Sequence, residues 1–346
     1  MQRRALLTAI GASVFAGCVA DESPAATGTD TDTPETPSGE PATTTTKQPT
    51  MTSTPTTPDV GVSPSEAAGP PWDDDIERVV AWPDVTDETA IALTPPTQQG
   101  SLPTTTFEFT LTNGTDVRFD TNFYAWRVWK RVDGSWFHVA PTAWPQPLMT
   151  LEPAESHTWT LTVDNTTSDG APFSHVEGRE SISLSGLGGG TYAFTIDGWF
   201  ATEDYQNGLG FVARFDLSGD PVELAPTDEV VETTREGDTI VVSTDREAGG
   251  DARKAAYIVD RLAEGESSDG TARRVITEQI LRNRELRNTI PFFEDGVETV
   301  RLEEQNSTFP AFGINDTRLV EYEGVRYRIS AEELEQEREQ ETENGG

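Results

Sequence analysis

Apolar and polar residues alternate through the middle of the chain with a period of two, which is typical of half-buried β-strands. In Thr104–Asn113 the alternation places Phe107, Phe109 and Leu111 on one face. Asp133-Gly134 is a strong signal for a hairpin turn between two such segments. Further strands are predicted at Asn122–Val132, Ser135–Ala140, Glu155–Val163, Ser181–Leu184, Thr191–Ile196 and Leu209–Leu217. Short strands separated by turn residues predict an antiparallel β-sandwich.

The pattern changes near Pro221–Val230, where a second module begins. Thr239–Ser243 and Val297–Leu302 are predicted strands, and Arg318–Ile329 is a predicted hairpin that turns at Glu323-Gly324. This mixture of strands with the helices described next predicts a small α+β domain of roughly 100 residues, which is within the normal size range.

Two helices are predicted in this second module. Ala255, Ala256, Val259 and Leu262 recur at helical spacing and predict a helix over Ala252–Leu262. Thr277 is a favoured N-cap residue ahead of Glu278-Gln279, and the helix that starts there should end near Asn288, before Pro291.

The chain therefore divides into five predicted segments. They are a signal peptide (1–17), a Thr/Pro-rich linker without a fold (18–71), a β-sandwich (72–220), a small α+β domain (221–330) and an acidic tail without a fold (331–346). The linker has almost no aliphatic residues that could seed a core, so burial cannot offset its ordering entropy. It is either a stalk that spaces the folded part from the cell envelope or plain disorder with no spacing role.

The first eighteen residues have the order of an export signal. Arg3 and Arg4 precede the apolar run Ala5–Gly17, which is too short to span a membrane as a helix and fits the apolar region of a signal peptide. Cys18, the only cysteine, follows directly. This resembles the twin-arginine signal and lipobox of exported lipoproteins of the haloarchaeal type. The resemblance implies cleavage before Cys18 and a diacylglyceryl thioether on its sulfur, which would anchor the protein on the outer face of the membrane. The alternative is an ordinary cysteine in an unlipidated signal.

Acidic residues greatly outnumber basic ones. The 346 residues include 25 Lys+Arg and 60 Asp+Glu, which gives a formal net charge of −35. The acids are spread along the chain, as in proteins of extreme halophiles, where molar salt screens self-repulsion. A dedicated acidic surface for a basic partner is the alternative. Because no basic patch could neutralise phosphates, binding to nucleic acid is not expected.

The sequence contains no recognisable catalytic or metal-binding motif. A single cysteine excludes an intrachain disulfide and a Cys-rich metal site, and the three histidines lack metal-ligand spacing. There is no Gly-x-Ser-x-Gly nucleophile motif, and the glycine-rich Gly186–Gly190 lacks the Lys of a phosphate-binding loop. We therefore predict no catalytic residue, metal or cofactor.

Four segments carry a family resemblance: FEFTLTNGTD (Phe107–Asp116), WKRVDGSWFHV (Trp129–Val139), LEPAESHTWTL (Leu151–Leu161) and GLGGGTYAFTI (Gly186–Ile196). They are similar to the strands and turns of immunoglobulin-like domains on prokaryotic surface proteins. The resemblance implies an immunoglobulin-like sandwich, and it specifies a fold rather than a function. The second module carries no family resemblance.

Tryptophans give the strongest indication of a binding surface. All eight lie in the predicted sandwich, and six of them follow its first predicted strand: Trp126, Trp129, Trp136, Trp144, Trp159 and Trp199. Trp126 and Trp129 point to opposite faces of one strand, so one of them should be exposed unless it is covered. With Trp144 they are candidate contacts for a sugar or an extended peptide, and core packing is the alternative for each.

Four Asn-x-Ser/Thr sequences, at Asn113, Asn165, Asn306 and Asn315, lie in predicted turns and are candidate glycosylation sites. Together these features predict a lipid-anchored, non-catalytic binding or structural protein of the cell surface, with an envelope protein or a glycan as its partner. A carboxylate-dependent extracellular hydrolase and an accessory or inhibitory envelope lipoprotein are the alternatives.

Overall fold

The computed structural model describes residues 58–60, 63–64, 69–82, 84–166, 180–245, 253–263, 270–306 and 316–334. All of them belong to one compact unit, Thr54–Gly346. Arg3, Arg4 and Cys18 lie outside the described residues, as do His175, Asn315 and most of the predicted linker. Among the helices of the described part, none is long and apolar enough to cross a membrane.

The described chain is mostly β-structure, arranged in three sheets. The nine-stranded sheet contains β1 (Ser63–Pro64), β2 (Ile76–Ala81), β4 (Gln99–Ser101), β6 (Phe119–Thr121), β7 (Arg127–Val132), β8 (Ser135–Ala140), β9 (Met149–Leu151), β12 (Gly190–Phe200) and β13 (Gly208–Ser218). The four-stranded sheet has the order β11 (Ser181–Leu184), β10 (Ser156–Asp164), β5 (Thr104–Asn113), β3 (Ile91–Thr94).

A third sheet of seven strands follows. Its order is β14 (Val230–Glu236), β15 (Thr239–Thr244), β18 (Thr299–Asn306), β16 (Arg253–Arg261), β20 (Val325–Glu333), β19 (Arg318–Tyr322), β17 (Arg273–Arg274). The only helical elements in the described residues are α1 (Thr277–Ile280), α2 (Arg284–Arg287) and a 3-10 turn at Ile290–Phe292.

The nine-stranded and four-stranded sheets share one aromatic core. Phe107, Phe109 and Leu111 of β5 are all buried, as their alternation predicts. The Phe109 ring stacks on Phe194 of β12, with centroids 4.3 Å apart. Trp159 of β10 is fully buried, and its Nε1 donates to the carbonyl of Phe123 at 2.9 Å. Offset and tilted aromatic pairs of this kind contribute beyond the area they bury.

The sheets are mixed, which corrects the expectation of purely antiparallel pairing. β10 and β11 run parallel, and β13 pairs in parallel with both β2 and β4. The predicted strand Asn122–Val132 begins only at Arg127. Strands such as β6 are buried at every position, so they lack the alternation from which a strand is predicted.

The helix predicted at Ala252–Leu262 is wrong. Arg253–Arg261 forms β16, which lies between β18 and β20 inside the third sheet. Tyr257 and Val259 are buried in its core, whereas Ile258 and Asp260 are half-buried. The alternation of this segment, with its β-branched residues, therefore outweighs the helical spacing of its alanines.

The helix predicted from Thr277 to Asn288 is present only as the two four-residue helices. Ile276 rather than Thr277 precedes the first turn of α1, and its amide N–H donates to Oε1 of Gln279 at 3.2 Å. The Asn283 side chain accepts from the amide of Leu286 at 2.8 Å and starts α2 as a new N-cap. The second module, predicted as a small α+β domain, is consequently mostly β-sheet, with two short helices and a 3-10 turn.

Contacts with the folded part extend beyond the predicted segment limits at both ends. Val60 is buried in the first core, and β1 pairs with β2, although both precede the predicted start of the sandwich at Trp72. At the other end β20 continues to Glu333, inside the segment predicted as a tail.

Candidate functional site

The face of the nine-stranded sheet that points away from the shared core carries a cluster of tryptophans. Register places Trp129 of β7 opposite Ala193 of β12, and Ala193 opposite Arg214 of β13. Trp72, Trp129 and Trp136 pack around Ala193 and Val212. We refer to Trp72, Trp129 and Trp136, together with the outward side chains beside them, as the tryptophan face.

Trp129 lies half-buried at the centre of the tryptophan face. Its Nε1 donates to Oγ1 of Thr195 at 3.1 Å, which fixes the indole on the strand next to its own. The ring of His138 on β8 lies beside it, with centroids 5.0 Å apart and planes tilted by 57°. The indole is thus held by one hydrogen bond and one ring contact while part of its surface faces solvent.

Trp72 lies on a glycine of the same sheet. A Cβ at Gly210 would be 2.7 Å from Cζ3 of the Trp72 ring, so only glycine allows this close approach. The indole is half-buried, and its Nε1 is buried without a hydrogen-bond partner among the described residues. Trp72 therefore ties the start of the predicted sandwich to the outward face of β13.

Trp136 lies between two arginines of the tryptophan face. It is the cross-strand partner of Arg131 in the β7–β8 hairpin. The Cζ atoms of Arg131 and Arg214 are each 5.8 Å from the centroid of the Trp136 ring, within the range of cation–π attraction. Both arginines are exposed, whereas Trp136 is half-buried.

His138 is neutral at pH 7 in this setting. Burial and the nearby positive charge of Arg127 lower the pKa of His138 to about 4. Its Nε2 is buried and has no hydrogen-bond partner in the described part of the chain. The tryptophan face thus contains an uncharged imidazole that packs against Trp129 rather than a cation.

Arg127 connects this face to Trp144. The Cζ atom of Arg127 is 5.3 Å from the Trp144 ring centroid, and its Nη1 pairs with Oδ1 of Asp197 at 3.0 Å. Burial raises the pKa of Asp197, and the Arg127 charge opposes that shift. Trp144 itself packs against the edge of the first core and is half-buried. Arg127 is therefore already neutralised, unlike Arg131 and Arg214.

Trp126 packs the core rather than presenting a surface for a ligand. It is 2% exposed and lies nearly parallel to Phe194, with ring centroids 6.2 Å apart. Of the two alternatives that the sequence leaves open for Trp126, the structure shows core packing. Of the three tryptophans named from the sequence as ligand contacts, the structure leaves Trp129 and Trp144 partly open to solvent.

Two of the four sequon asparagines can be placed in full. Asn113 is completely buried, and its Nδ2 donates to the carbonyls of Val117 at 2.9 Å and Leu151 at 3.0 Å, so a glycan on it would require this loop to open. Asn165 is half-buried, and its Nδ2 donates to the carbonyl of Leu187 at 2.8 Å. Asn306 ends β18 with its side chain outside the description.

The two modules are joined by a buried polar cluster around Glu278. Lys130 of β7 forms an ion pair with Oε1 of Glu278. The Gly188 amide donates to the same oxygen at 3.1 Å, and the Tyr192 hydroxyl lies 3.4 Å from it. The glycine-rich segment Gly186–Gly190 thus binds the carboxylate of Glu278 from the same chain.

Arg282 also belongs to this cluster and binds the backbone of the same glycine-rich loop. It donates to the carbonyls of Ser185 at 2.7 Å and Gly186 at 3.4 Å, and burial lowers its pKa to about 10. Burial also raises the pKa of Tyr192, with the Glu278 charge adding to the shift. The cluster therefore acts as a joint within the protein, in which Lys130 pairs with Glu278 and the Nη atoms of Arg282 donate to carbonyls of the glycine-rich loop.

A second group of carboxylates, in the third sheet, surrounds Arg284. Both Nη atoms of Arg284 bind Glu304 at 2.6 Å, and Nη2 binds Glu285 at 2.8 Å. This is the geometry of a bidentate ion pair. Within the described residues no group of three or more His, Cys, Asp or Glu side chains is placed to hold a metal ion.

Comparisons with known proteins identify no family. No family model matches the chain. No curated protein matches it either. Among solved structures it resembles β-glucosidase from Listeria innocua in complex with glucose, at 15% identity and a TM-score of 0.19. The complex of that enzyme with gluconolactone matches at 14% identity with the same score. Each match covers 38% of this chain and 16% of the glucosidase, and scores this low support no argument about fold or activity.

The pairing of Trp136 with Arg131 is encoded locally in the sequence. A two-residue turn at Asp133-Gly134 pairs Val132 with Ser135, so the next pair on the hairpin is Arg131 with Trp136. Alternation then places Trp129 and Arg131 on one face of β7. Arg214 could not be placed beside them, because its position depends on the order of strands in the sheet.

Proposed function

We propose that this protein is a lipid-anchored, non-catalytic binding protein on the outer face of the cell membrane of a halophile, with an immunoglobulin-like sandwich as its binding domain. The export signal ending at Cys18 supports the location, and the excess of acidic residues supports the high-salt environment. The partner is a component of the cell envelope, either a protein or a glycan.

The tryptophan face is the observation that carries this proposal. Trp129 and Trp136 are half-buried on the outward side of a nine-stranded sheet, where their rings can contact a partner without any rearrangement of the core. Tryptophan and arginine are the residues that contribute most to binding when a partner covers them. A contiguous cluster of both on one rigid face is typical of an interaction surface.

The immunoglobulin-like assignment is supported by two sheets that share one core and by the confirmed hairpin at Asp133-Gly134. The contacts around Glu278 join this part to the third sheet, and the charges there are used internally. We accordingly assign binding to the tryptophan face and a supporting role to the third sheet.

Sedimentation with envelopes tests this proposal. The Cys18→Ser protein, which has no lipid, is mixed with washed cell envelopes in molar KCl and centrifuged. We expect it to sediment with the envelopes. The further changes Trp129→Ala and Trp136→Ala should leave it in the supernatant, whereas Arg235→Gln in the third sheet should not. Equal sedimentation of all variants would show that the tryptophan face is not the binding surface.

A further inference from the structure

Arg131 and Arg214 are two cations without carboxylate partners in a strongly acidic protein. Neither forms an ion pair or a side-chain hydrogen bond with any residue that the structure describes. Their guanidinium groups lie over the Trp136 ring instead. By contrast Arg78 pairs with Glu203, Arg118 with Asp120 and Arg127 with Asp197. In a chain with 60 acids and 25 bases, two exposed, unpaired guanidinium groups on one face indicate an external anion.

An acid on the outward side of the same strand as Arg214 does not neutralise them. Asp216 lies two residues from Arg214 along β13 and faces outward with it. Its Oδ1 accepts a hydrogen bond from Oγ1 of Thr191 at 2.7 Å instead of pairing with the arginine. The guanidinium donors of both arginines therefore stay available to a ligand.

The geometry suits a ring that carries a carboxylate. Both guanidinium groups lie over the Trp136 ring, and neither donates a hydrogen bond to a carboxylate of the described residues, so the N–H donors of each, arranged as a planar fork, remain available. A fork of this kind binds a carboxylate through two parallel hydrogen bonds. The indole between the two forks offers an apolar surface for the face of a ring. The Trp136 ring could hold one sugar ring while the guanidinium groups of Arg131 and Arg214 bind carboxylates. This arrangement matches a sugar polymer with carboxylate groups.

We propose that the tryptophan face binds an acidic polysaccharide, with uronic-acid carboxylates on Arg131 and Arg214 and a sugar ring on Trp136. This inference rests on the proposed function and names the class of its partner. A nucleic acid fits less well, because its affinity comes mainly from the neutralisation of many phosphates and is lost at high salt. Two arginines in a protein of charge −35 supply too few cations for that mode.

Calorimetric titration in molar KCl tests the inference with the full mature chain and a short oligogalacturonate as the probe. Saturable binding is expected. The methyl ester of the same oligomer removes the anionic charge and should bind more weakly by about tenfold or more, because the charge-assisted hydrogen bonds are lost. Oligothymidylate serves as the nucleic-acid probe, and tighter binding of it would overturn the inference.

Variants identify the surface. Trp136→Ala, Arg131→Gln and Arg214→Gln should each weaken binding of the oligogalacturonate by about tenfold, because each removes either the platform or one charged fork. Arg131→Lys should fall between wild type and Arg131→Gln, since lysine keeps the charge but not the fork. The Arg235→Gln variant, which removes an arginine already paired with Glu294, is the matched control and should bind as wild type does.

The two arginine variants do not touch the core, so they keep the test valid if Trp136→Ala unfolds. Unchanged affinity in both arginine variants would overturn the inference, as would equal affinity for the acid and its ester. If no oligomer binds but sedimentation with envelopes still depends on Trp129 and Trp136, the polysaccharide is wrong and the proposed function stands. If the protein with an intact tryptophan face binds neither the oligomer nor the envelopes, both the polysaccharide inference and the proposed function are contradicted.

Discussion

Lys130 and Glu278 form a buried ion pair across the boundary between the two predicted modules, with 11% and 3% of their side chains exposed. The pair is 148 residues apart in the chain, and the Gly188 amide and Tyr192 hydroxyl surround the same carboxylate oxygen. A charge of this kind is stable in a protein interior only while its partners are present. The orientation of the third sheet against the other two sheets therefore depends on this cluster.

Removal of one member of this pair should be costly. We expect Lys130→Met or Glu278→Leu to lower the free energy of unfolding by about 3–5 kcal/mol, because each leaves an uncompensated buried charge. The double variant should lose much less than the sum of the two. Denaturant unfolding in molar salt measures all three proteins.

The exposed pair Arg235–Glu294 provides the control for this experiment. Arg235→Gln should change the free energy of unfolding by less than about 1 kcal/mol, because a solvent-exposed ion pair contributes little. Losses that are equal for the buried and exposed pairs would show that Lys130 and Glu278 do not join the modules.

His138 should give the protein a specific dependence on pH. Its pKa is about 4 in the folded protein and near 6.5 when unfolded, so the unfolded state binds more protons between these values. Stability should therefore fall as the pH drops through this window. The His138 contribution amounts to about 2 kcal/mol between pH 7 and pH 5.

Comparison with His138→Gln isolates this contribution from the carboxylates that titrate in the same range. Between pH 7 and pH 5 the free energy of unfolding should fall less in the variant than in the wild type. The difference should equal the His138 contribution of about 2 kcal/mol. Parallel pH profiles for the two proteins would mean that His138 does not lose its proton-binding capacity on folding.

The contact of Trp72 with Gly210 should be sensitive to one methyl group. Gly210→Ala places a Cβ 2.7 Å from the indole, so the ring must move, and we expect a loss of about 1–3 kcal/mol. In the Trp72→Ala background the same change should cost much less, because the clashing ring is gone. Denaturant unfolding of the four proteins gives the coupling, and additive losses would contradict the close approach.

The lipid anchor leads to a cellular prediction. Cys18→Ser removes the sulfur on which the diacylglyceryl group would be built. The variant should be released into the medium or remain unprocessed, which fractionation and immunoblotting would detect. A conservative change in the linker, such as Thr44→Ser, is the control. Normal processing and membrane attachment of Cys18→Ser would contradict the anchor.

Local patterns in the sequence predicted many of the strands in the first two sheets, because alternation and turn chemistry are properties of neighbouring residues. Strand β5 and both Asp133-Gly134 and Glu323-Gly324 turns lie where the sequence indicates them. The apolar residues of Arg253–Arg261 fit both the helical and the strand period, and only pairing with its two neighbouring strands decides between them.

The candidate site depended more on long-range pairing. Alternation places Trp126 and Trp129 on opposite faces, but it does not say which face is covered; the structure places Trp126 in the core and Trp129 outward. Arg214 comes beside Trp136 only through the order of β8, β7, β12 and β13, which local sequence does not encode. The buried position of Glu278 likewise follows from the packing of one sheet on another.

Hydroxyl-radical footprinting of the Cys18→Ser protein, with and without washed envelopes in molar KCl, tests the central claim most directly, since it needs no change in the tryptophan face. We predict that envelopes reduce the oxidation of Trp129 and Trp136 several-fold. Tyr205, which is 58% exposed in the loop between β12 and β13, should be oxidised equally in both samples. Unchanged oxidation of both tryptophans while the protein is bound to envelopes would contradict the assignment of binding to this face.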